Sequence, residues 1–243
     1  YAHVPMILGP DGQKLSKRHG AASVMEYRDM GYLPEAVLNY LVRLGWSHGD
    51  QEIFSLDEMT ELFDLDDCNK APSAINPSKL IWLNKHYLKT LDPIHVARHL
   101  SWHLGQLGID PSEGPQLADV VQAFAERSDT LHDMAQAAIF LYREFEQYDA
   151  KAANKHLTAA AGEPLRCLHE ALTALSEWRA GPIHEAVKMV AEAGGLALGK
   201  VAQPLRVAVS GTAISPPIDM TLELLGRCRS LTRIERALSF IEG

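Results

Sequence analysis

The chain has 243 residues, 47% of them hydrophobic and 22% charged, which is typical of a soluble globular protein of one large or two to three small domains. No run approaches the roughly 18 apolar residues of a membrane span, and the first residues, YAHVPMILGPDG, lack the basic start and apolar core of a signal peptide. The net charge of −8 argues against general adhesion to polyanions such as DNA, and the widely separated Cys68, Cys167 and Cys228 argue against disulfides and predict a reducing cytoplasm.

The charge is unevenly distributed along the chain. Residues 1–20 hold three basic and one acidic side chains, residues 200–243 hold six and four, and the segment between them is acidic. Basic ends on an acidic body suit specific contacts to a polyanion, although ordinary surfaces carry such segments too.

Helical periodicity, caps and Gly or Pro breaks predict the elements of the first half. A short strand is predicted at Ile53 and Phe54. The predicted helices, in chain order, cover residues 21–32, 34–45, 55–65 with a capping box from Ser55 to Glu58, 76–91 and 92–110.

The second half is predicted to be helical as well. Ser128 or Asp129 is expected to cap a long helix, residues 204–209 to form a short apolar element, residues 211–217 to form a loop, and Ser230 to cap the last helix. The remaining helices are predicted over 116–127, 128–147, 149–160, 164–179, 183–194 and 217–226. A chain of short helices without alternating strand patterns predicts a mainly α fold.

The stretch KLSKR, residues 14–18, places two lysines and an arginine in a loop flanked by Gly and Pro. Clustered cations on a loop suit phosphate groups on which charge builds up, although a solvated basic loop would have the same composition. The spacing excludes a Walker phosphate-binding loop.

Three histidines, His95, His99 and His103, share one helix face at a spacing of four residues. Two His at this spacing can bind zinc. Since no Glu lies between them as in HExxH and no third ligand is evident, a half-exposed helix face is the alternative, and no metal site is predicted.

Several long motifs resemble one family. KLSKR is similar to the KMSKS signature of class I aminoacyl-tRNA synthetases, and HVPMILGPDGQKLSKRHGA resembles that loop in bacterial glutamyl-tRNA synthetases. DMGYLPEAVLNYLVRLGWSHGDQEIFS and KVAQPLRVAVSGTAISPPIDMTLELLGRCRSLTRIERAL resemble later segments of the same family. The resemblance covers essentially the whole chain.

The resemblance implies that Lys17 contacts ATP phosphates during amino-acid activation and that Lys14 assists. Positioned ammonium groups would stabilise the charge that shifts onto pyrophosphate as it leaves. ATP with Mg²⁺ would be the substrate complex of the intact enzyme, with none expected bound to this part alone.

The resemblance also implies anticodon contacts. Amide, guanidinium and apolar side chains suit the exposed edges and faces of unpaired bases. The matched residues are Gln203, Arg206, Ser215, Pro216 and Ile218, with Arg127 aligned more loosely; Gln203 as a capping amide and Pro216 as a helix entry are the structural alternatives.

The expected protein is therefore the C-terminal half of a glutamate–tRNA ligase, without the family's N-terminal Rossmann catalytic domain and inactive alone. Its expected partners are tRNA(Glu) or also tRNA(Gln), with L-glutamate and ATP for the intact enzyme, and it is expected to be a monomer. The expected parts are the end of the catalytic domain at 1–20, a stem-contact domain with minor β at 21–92, and helical anticodon-binding subdomains at 93–145 and 146–243.

A different hypothesis is a stand-alone, non-catalytic module of the same ancestry that binds tRNA or docks a protein. The KLSKR loop favours the ligase, because such a module has no need of part of an ATP site. A natural reading frame that starts near Tyr1 would favour the module.

Overall fold

The computed structural model describes residues 4–16, 18 and 23–243. Helices dominate this part of the chain, and the prediction of a mainly α fold with minor β is confirmed. Two short parallel strands pair Ile7 with Ser73 and Leu8 with Ala74. In the described residues the strands and α-helices are β1 (Ile7–Leu8), α1 (Val24–Asp29), α2 (Pro34–Arg43), α3 (Leu56–Leu62), β2 (Ser73–Ala74), α4 (Pro77–Thr90), α5 (Pro93–Gln106), α6 (Leu117–Phe124), α7 (Leu131–Tyr142), α8 (Ala150–His156), α9 (Ala159–Thr173), α10 (Ala180–Ala193), α11 (Leu198–Ser210), α12 (Ile218–Leu225) and α13 (Arg227–Glu242).

The chain divides into two compact units. The first contains the residues up to Leu107 together with Ala125–Gln136, and the second contains Gly108–Phe124 and Ala137–Gly243. These limits differ from the predicted boundaries after residues 92 and 145, and the four-part division stays a prediction.

In the first unit, α2 packs on α4, and buried amide side chains tie the loops to these helices. Asn84 on α4 accepts a hydrogen bond from the Leu33 N–H at 2.8 Å and donates to the Asp129 carbonyl at 2.7 Å. Asn39 on α2 accepts from the Phe54 N–H at 3.0 Å and donates to the Glu52 carbonyl at 3.0 Å. Each amide therefore satisfies backbone groups that have no helix or sheet partner.

The second unit packs α9, α10, α11 and α13 against one another. Arg233 on α13 is 1% exposed, and all of its guanidinium nitrogens donate hydrogen bonds. Nε and Nη2 both reach the Glu144 carboxylate at 3.0 Å, Nη1 reaches the Val209 carbonyl at 2.6 Å, and Nη2 reaches the Phe140 carbonyl at 2.9 Å. This side chain joins the ends of α7 and α11 to α13.

Local signals predicted many helix ends correctly. Ser55 and Glu58 form the predicted reciprocal capping box, and Asn76 caps α4 through the Lys79 N–H. Gly226 follows the last residue of α12, as predicted.

The predicted strand at Ile53 and Phe54 is wrong. Neither residue belongs to a strand, because the Phe54 amide bonds to the Asn39 side chain and the ring is buried in a cluster with Trp46 and Met59. Two adjacent apolar residues do not distinguish a strand from a loop, because a loop can also place its side chains in the core.

Two other predictions fail at helix ends. The cap of α7 is Thr130, whose Oγ1 accepts from the Asp133 N–H at 3.1 Å, rather than Ser128 or Asp129. Ser230 lies inside α13, where its hydroxyl donates to the Gly226 carbonyl at 2.8 Å. The error at Ser230 arises because hydroxyl residues bond to the backbone inside helices as well as at their ends.

Two prolines lie inside helices. Pro164 is within α9, and Pro204 is buried within α11, so the predicted starts at 164 and 204 are wrong. Proline at the first helical position is the common case, which is why the sequence pattern indicates a start.

Candidate functional site

The chain after β1 turns back on it at Lys14 and Leu15. Lys14 forms an antiparallel bridge with Leu8, and the Leu15 N–H donates to the Ile7 carbonyl at 2.9 Å. Gly12 has φ +74°, a left-handed conformation that glycine adopts without strain, and it completes the turn.

This hairpin leaves the Lys14 side chain exposed to solvent. Arg18 lies 3.5 Å from the Asp11 carboxylate, with both side chains exposed. Lys17, the lysine for which the resemblance implies the principal ATP contact, lies outside the described residues.

Gln203 and Arg206 project from one face of α11, since they are three residues apart. Arg206 is half-buried, and its Nη1 donates to the Ser215 carbonyl at 2.7 Å, the Ser215 Oγ at 2.8 Å and the Pro216 carbonyl at 2.7 Å. The guanidinium thus holds residues 211–217, the predicted loop between α11 and α12, against α11.

Three of the predicted site residues are buried. Ser215 is 3% exposed, and its hydroxyl lies 3.0 Å from Thr221 Oγ1; Pro216 and Ile218 are also buried. These side chains set the path of the loop and the start of α12.

A large apolar side chain of this loop, Ile214, is 78% exposed, and the sequence reasoning missed it. It stands out in the sequence as a large apolar residue within SGTAIS, a stretch of otherwise small or polar residues. Thr212 Oγ1 donates to the Ile214 carbonyl at 2.9 Å and so helps to hold the loop tip in shape.

Gln203 has a buried amide oxygen, Oε1, with no hydrogen-bond partner among the described residues. A buried acceptor without a donor is rare and costs free energy. A donor group on a bound molecule would relieve that cost, whereas helix capping, the structural alternative for this residue, is excluded because Gln203 lies inside α11.

Arg127 lies at the end of a short 3₁₀ turn, Ala125–Arg127, and its side chain is exposed. No hydrogen bond or ion pair of this side chain occurs within the described part of the chain. Arg127 belongs to the first unit and Arg206 to the second.

The histidine row does not form a shared ligand set in the structure. His95 Nε2 lies 2.7 Å from Glu35 Oε1, whereas His103 is buried at 4% exposure with its ring edge-on to Trp102. Burial lowers the pKa of His103 to about 4. Across residues 4–16, 18 and 23–243, no group of three His, Cys, Asp or Glu side chains is placed to hold a metal ion.

The basic C-terminal segment serves the fold. Arg229 donates to the Leu141 carbonyl at 2.6 Å, Arg236 to the Phe145 carbonyl at 2.9 Å, and Arg227 to the Leu175 carbonyl, while Arg233 is buried as described. The positive charge of residues 200–243 is therefore largely taken up by internal contacts rather than displayed as a binding patch.

Two family models match the chain. The model described as "Anticodon binding domain" matches residues 95–238, and "tRNA synthetases class I (E and Q), catalytic domain" matches residues 1–82. None of the helices in the described residues is both long and apolar enough to cross a membrane.

The relatives point the same way. The chain is 61% identical over 242 residues to "Glutamate--tRNA ligase 1" of Nitrosococcus oceani. The aligned region covers 100% of this chain and 52% of that protein. A crystal structure of a glutamate tRNA ligase from Elizabethkingia meningosepticum in complex with its amino acid has a TM-score of 0.83 and 30% identity, covering 99% of this chain and 51% of that one. A glutamate-tRNA synthetase from Elizabethkingia anophelis has a TM-score of 0.79 and 30% identity, covering 100% and 51%. The chain thus spans about half the length of these relatives.

Proposed function

This chain belongs to the anticodon-binding domain family, and we propose that it is the tRNA-binding part of a glutamate–tRNA ligase. The intact enzyme would activate L-glutamate with ATP and transfer it to the 3′ end of tRNA(Glu), and of tRNA(Gln) where the anticodon pocket tolerates it. It would act as a monomer in the cytoplasm. The proposal includes four parts: the end of the catalytic domain at 1–20, a stem-contact domain at 21–92, and anticodon-binding subdomains at 93–145 and 146–243.

The observation that carries the proposal is the arrangement of α11 and the loop that follows it. Arg206 holds the loop through three hydrogen bonds, Ile214 projects from the loop tip, and the Gln203 amide oxygen lacks a donor. Base recognition in single-stranded loops uses such groups: polar side chains at base edges and apolar side chains at base faces.

In this proposal Gln203 and Arg206 meet the anticodon directly. Ser215, Pro216 and Ile218 act from beneath the loop, since they are buried. Arg127, exposed on the first unit, contributes a further anticodon contact.

Lys14 and Lys17 would hold the phosphates of ATP, which binds with Mg²⁺. The carboxylate of glutamate attacks the α-phosphorus and pyrophosphate leaves, so negative charge accumulates on the departing oxygens. Lys14, which is exposed on a hairpin tied to β1, would stabilise that charge.

The test is a fluorescence titration of this chain with tRNA(Glu) transcripts that carry the native or an altered third anticodon base, at fixed moderate salt. We expect about tenfold or greater loss of affinity on the base change, and loss of that distinction in Arg206→Ala. Arg166→Ala serves as the control, because Arg166 is an exposed arginine of the same unit paired with Glu163 and Glu242. Equal affinity of the unaltered chain for all transcripts would contradict anticodon reading by this chain.

A further inference from the structure

A groove of about 700 Å³ lies in the second unit, beside the start of α11. The C-terminal end of α8, the start of α9 and the turn that leads into α11 form its walls. It is separate from the loop at 211–217, none of whose residues lines it.

The rim of this groove is basic. Lys155 and Lys200 line it with His156, and no Asp or Glu side chain lines it. Neither lysine forms an ion pair or a hydrogen bond within the described residues. In a chain with a net charge of −8, two uncompensated ammonium groups at one groove favour an anion.

Both lysines act electrostatically on His156. Burial, followed by the positive charges of Lys155 and Lys200, lowers the pKa of His156. The imidazole is therefore neutral near pH 7 and can offer one N–H to a ligand oxygen. Lys151 adds a further cation one turn before Lys155 on α8.

Backbone groups at the groove have the same polarity. Thr158 and Ala197, the N-cap residues of α9 and α11, both line it, and neither makes a side-chain cap hydrogen bond. The Ala161 and Lys200 N–H groups donate to the Thr158 and Ala197 carbonyls, and the positive ends of both helix dipoles add to the potential of the lysines.

The floor of the groove is apolar. Ala160 and Pro164 of α9 face it, together with Leu196 and Pro204. Inorganic phosphate needs no such surface, but a nucleotide does, since its base or sugar face can pack on small apolar side chains while its phosphate meets the cations.

We propose that this groove binds the sugar-phosphate backbone of single-stranded RNA next to the bases that α11 reads. Lys200 lies one helical turn before Gln203, about 4.5 Å along the axis of α11. A strand whose bases meet Gln203 and Arg206 can thus carry its phosphate to Lys200 and Lys155. This inference rests on the proposed function, because it takes the anticodon arm of a tRNA as the ligand.

The test is the dependence of affinity on salt concentration for the double variant Lys155→Gln/Lys200→Gln. Each lost phosphate contact to a single strand lowers the slope of log K against log salt by about 0.7, so we expect a slope shallower by about 1.4 and affinity lower by about tenfold or more at low salt. The distinction between native and altered third anticodon bases should persist, because the cations meet the backbone and not the bases.

The control is Lys188→Gln/Arg179→Gln, which removes two exposed cations from the same unit. The groove proposal would be overturned if the Lys155/Lys200 variant had the same slope of log K against log salt as the unaltered chain. It would also be overturned if the control lost as much slope and affinity as that variant. Neither result would affect base discrimination. If the unaltered chain does not discriminate between the native and altered anticodon bases, the anticodon proposal is overturned instead. The salt dependence of the Lys155/Lys200 variant would still decide whether the groove binds phosphates. No binding of any tRNA would contradict both.

Discussion

Arg206 Nη1 donates at 2.7 Å to the main-chain carbonyl of Ser215, nine residues further along the chain. Because the same nitrogen also reaches the Pro216 carbonyl, one side chain of α11 determines where the backbone turns before α12. A residue expected to read a base is at the same time the clamp of the loop that accompanies it.

Arg206→Lys separates the charge of this side chain from its geometry. A lysine keeps the positive charge but lacks the planar guanidinium, whose Nη1 contacts two carbonyls and a hydroxyl. We expect the salt dependence of tRNA binding to remain, and discrimination of the third anticodon base to fall about tenfold or more. Titrations with native and altered transcripts at several salt concentrations measure both, and unchanged discrimination would show that charge alone suffices.

Arg233→Met is expected to lower the free energy of unfolding by about 3–5 kcal/mol, because it removes a buried cation and leaves the Val209 and Phe140 carbonyls without donors. Urea denaturation followed by circular dichroism measures the change. Arg166→Met, which breaks only exposed ion pairs, should cost about 1 kcal/mol or less. Equal losses in the two variants would contradict the role of Arg233 in the core.

His103 should make stability depend on pH. Its pKa is about 4 in the folded protein against the ordinary 6.5, owing first to burial and then to His132, with Arg28 and His99 also lowering it and Asp29 opposing. Between these pH values His103 binds a proton in the unfolded chain but stays neutral in the folded chain. The stability is fully present above pH 6.5 and is lost as the pH falls toward 4.

The free energy of unfolding falls as the pH is lowered from 7.5 to 5, and we expect this fall to be about 1–2 kcal/mol smaller in His103→Leu than in the unaltered protein. Urea denaturation at both pH values measures it. His184→Gln, which changes an exposed histidine beside Asp219, is the matched control. A loss in His103→Leu as large as in the unaltered protein would mean that His103 titrates normally in the folded state.

Gly31 is required by a close approach within the first unit. Its φ is +89°, and a Cβ there would lie 2.4 Å from the His132 backbone nitrogen. Gly31→Ala should therefore lower the free energy of unfolding by about 3 kcal/mol or more. Gly181→Ala, on α10 with no atom near the added Cβ, should be neutral or stabilising. Thermal unfolding compares the two, and equal midpoints would contradict the close approach.

Short-range patterns predicted much of the helical framework. The capping box of Ser55 and the Asn76 cap depend on residues three positions apart, so the sequence contains the whole signal. The same reasoning failed at Phe54, whose amide is bound by Asn39 fifteen residues earlier, and at Pro204, which the surrounding helices hold inside α11.

Motif resemblance identified the region of the candidate site but not what each residue does there. The sequence places Ser215, Pro216 and Ile218 beside Gln203 and Arg206, yet it does not indicate that the first three are buried. Nor does it separate Ile214 from its neighbours. Exposure depends on how α12 packs, which no local pattern encodes.

The sequence by itself determined the mainly α architecture, several helix caps and the family, because caps, periodicity and motifs are properties of neighbouring residues. Only the tertiary structure decided which cations are bound within the fold and which have no acidic partner among the described residues. Arg233 donates hydrogen bonds to carbonyls more than twenty residues away in the chain, whereas Lys155 and Lys200 both line a groove that no carboxylate lines. The physical reason is that the partner of a charge is chosen by distance in space, and helices distant in sequence must pack before that distance exists.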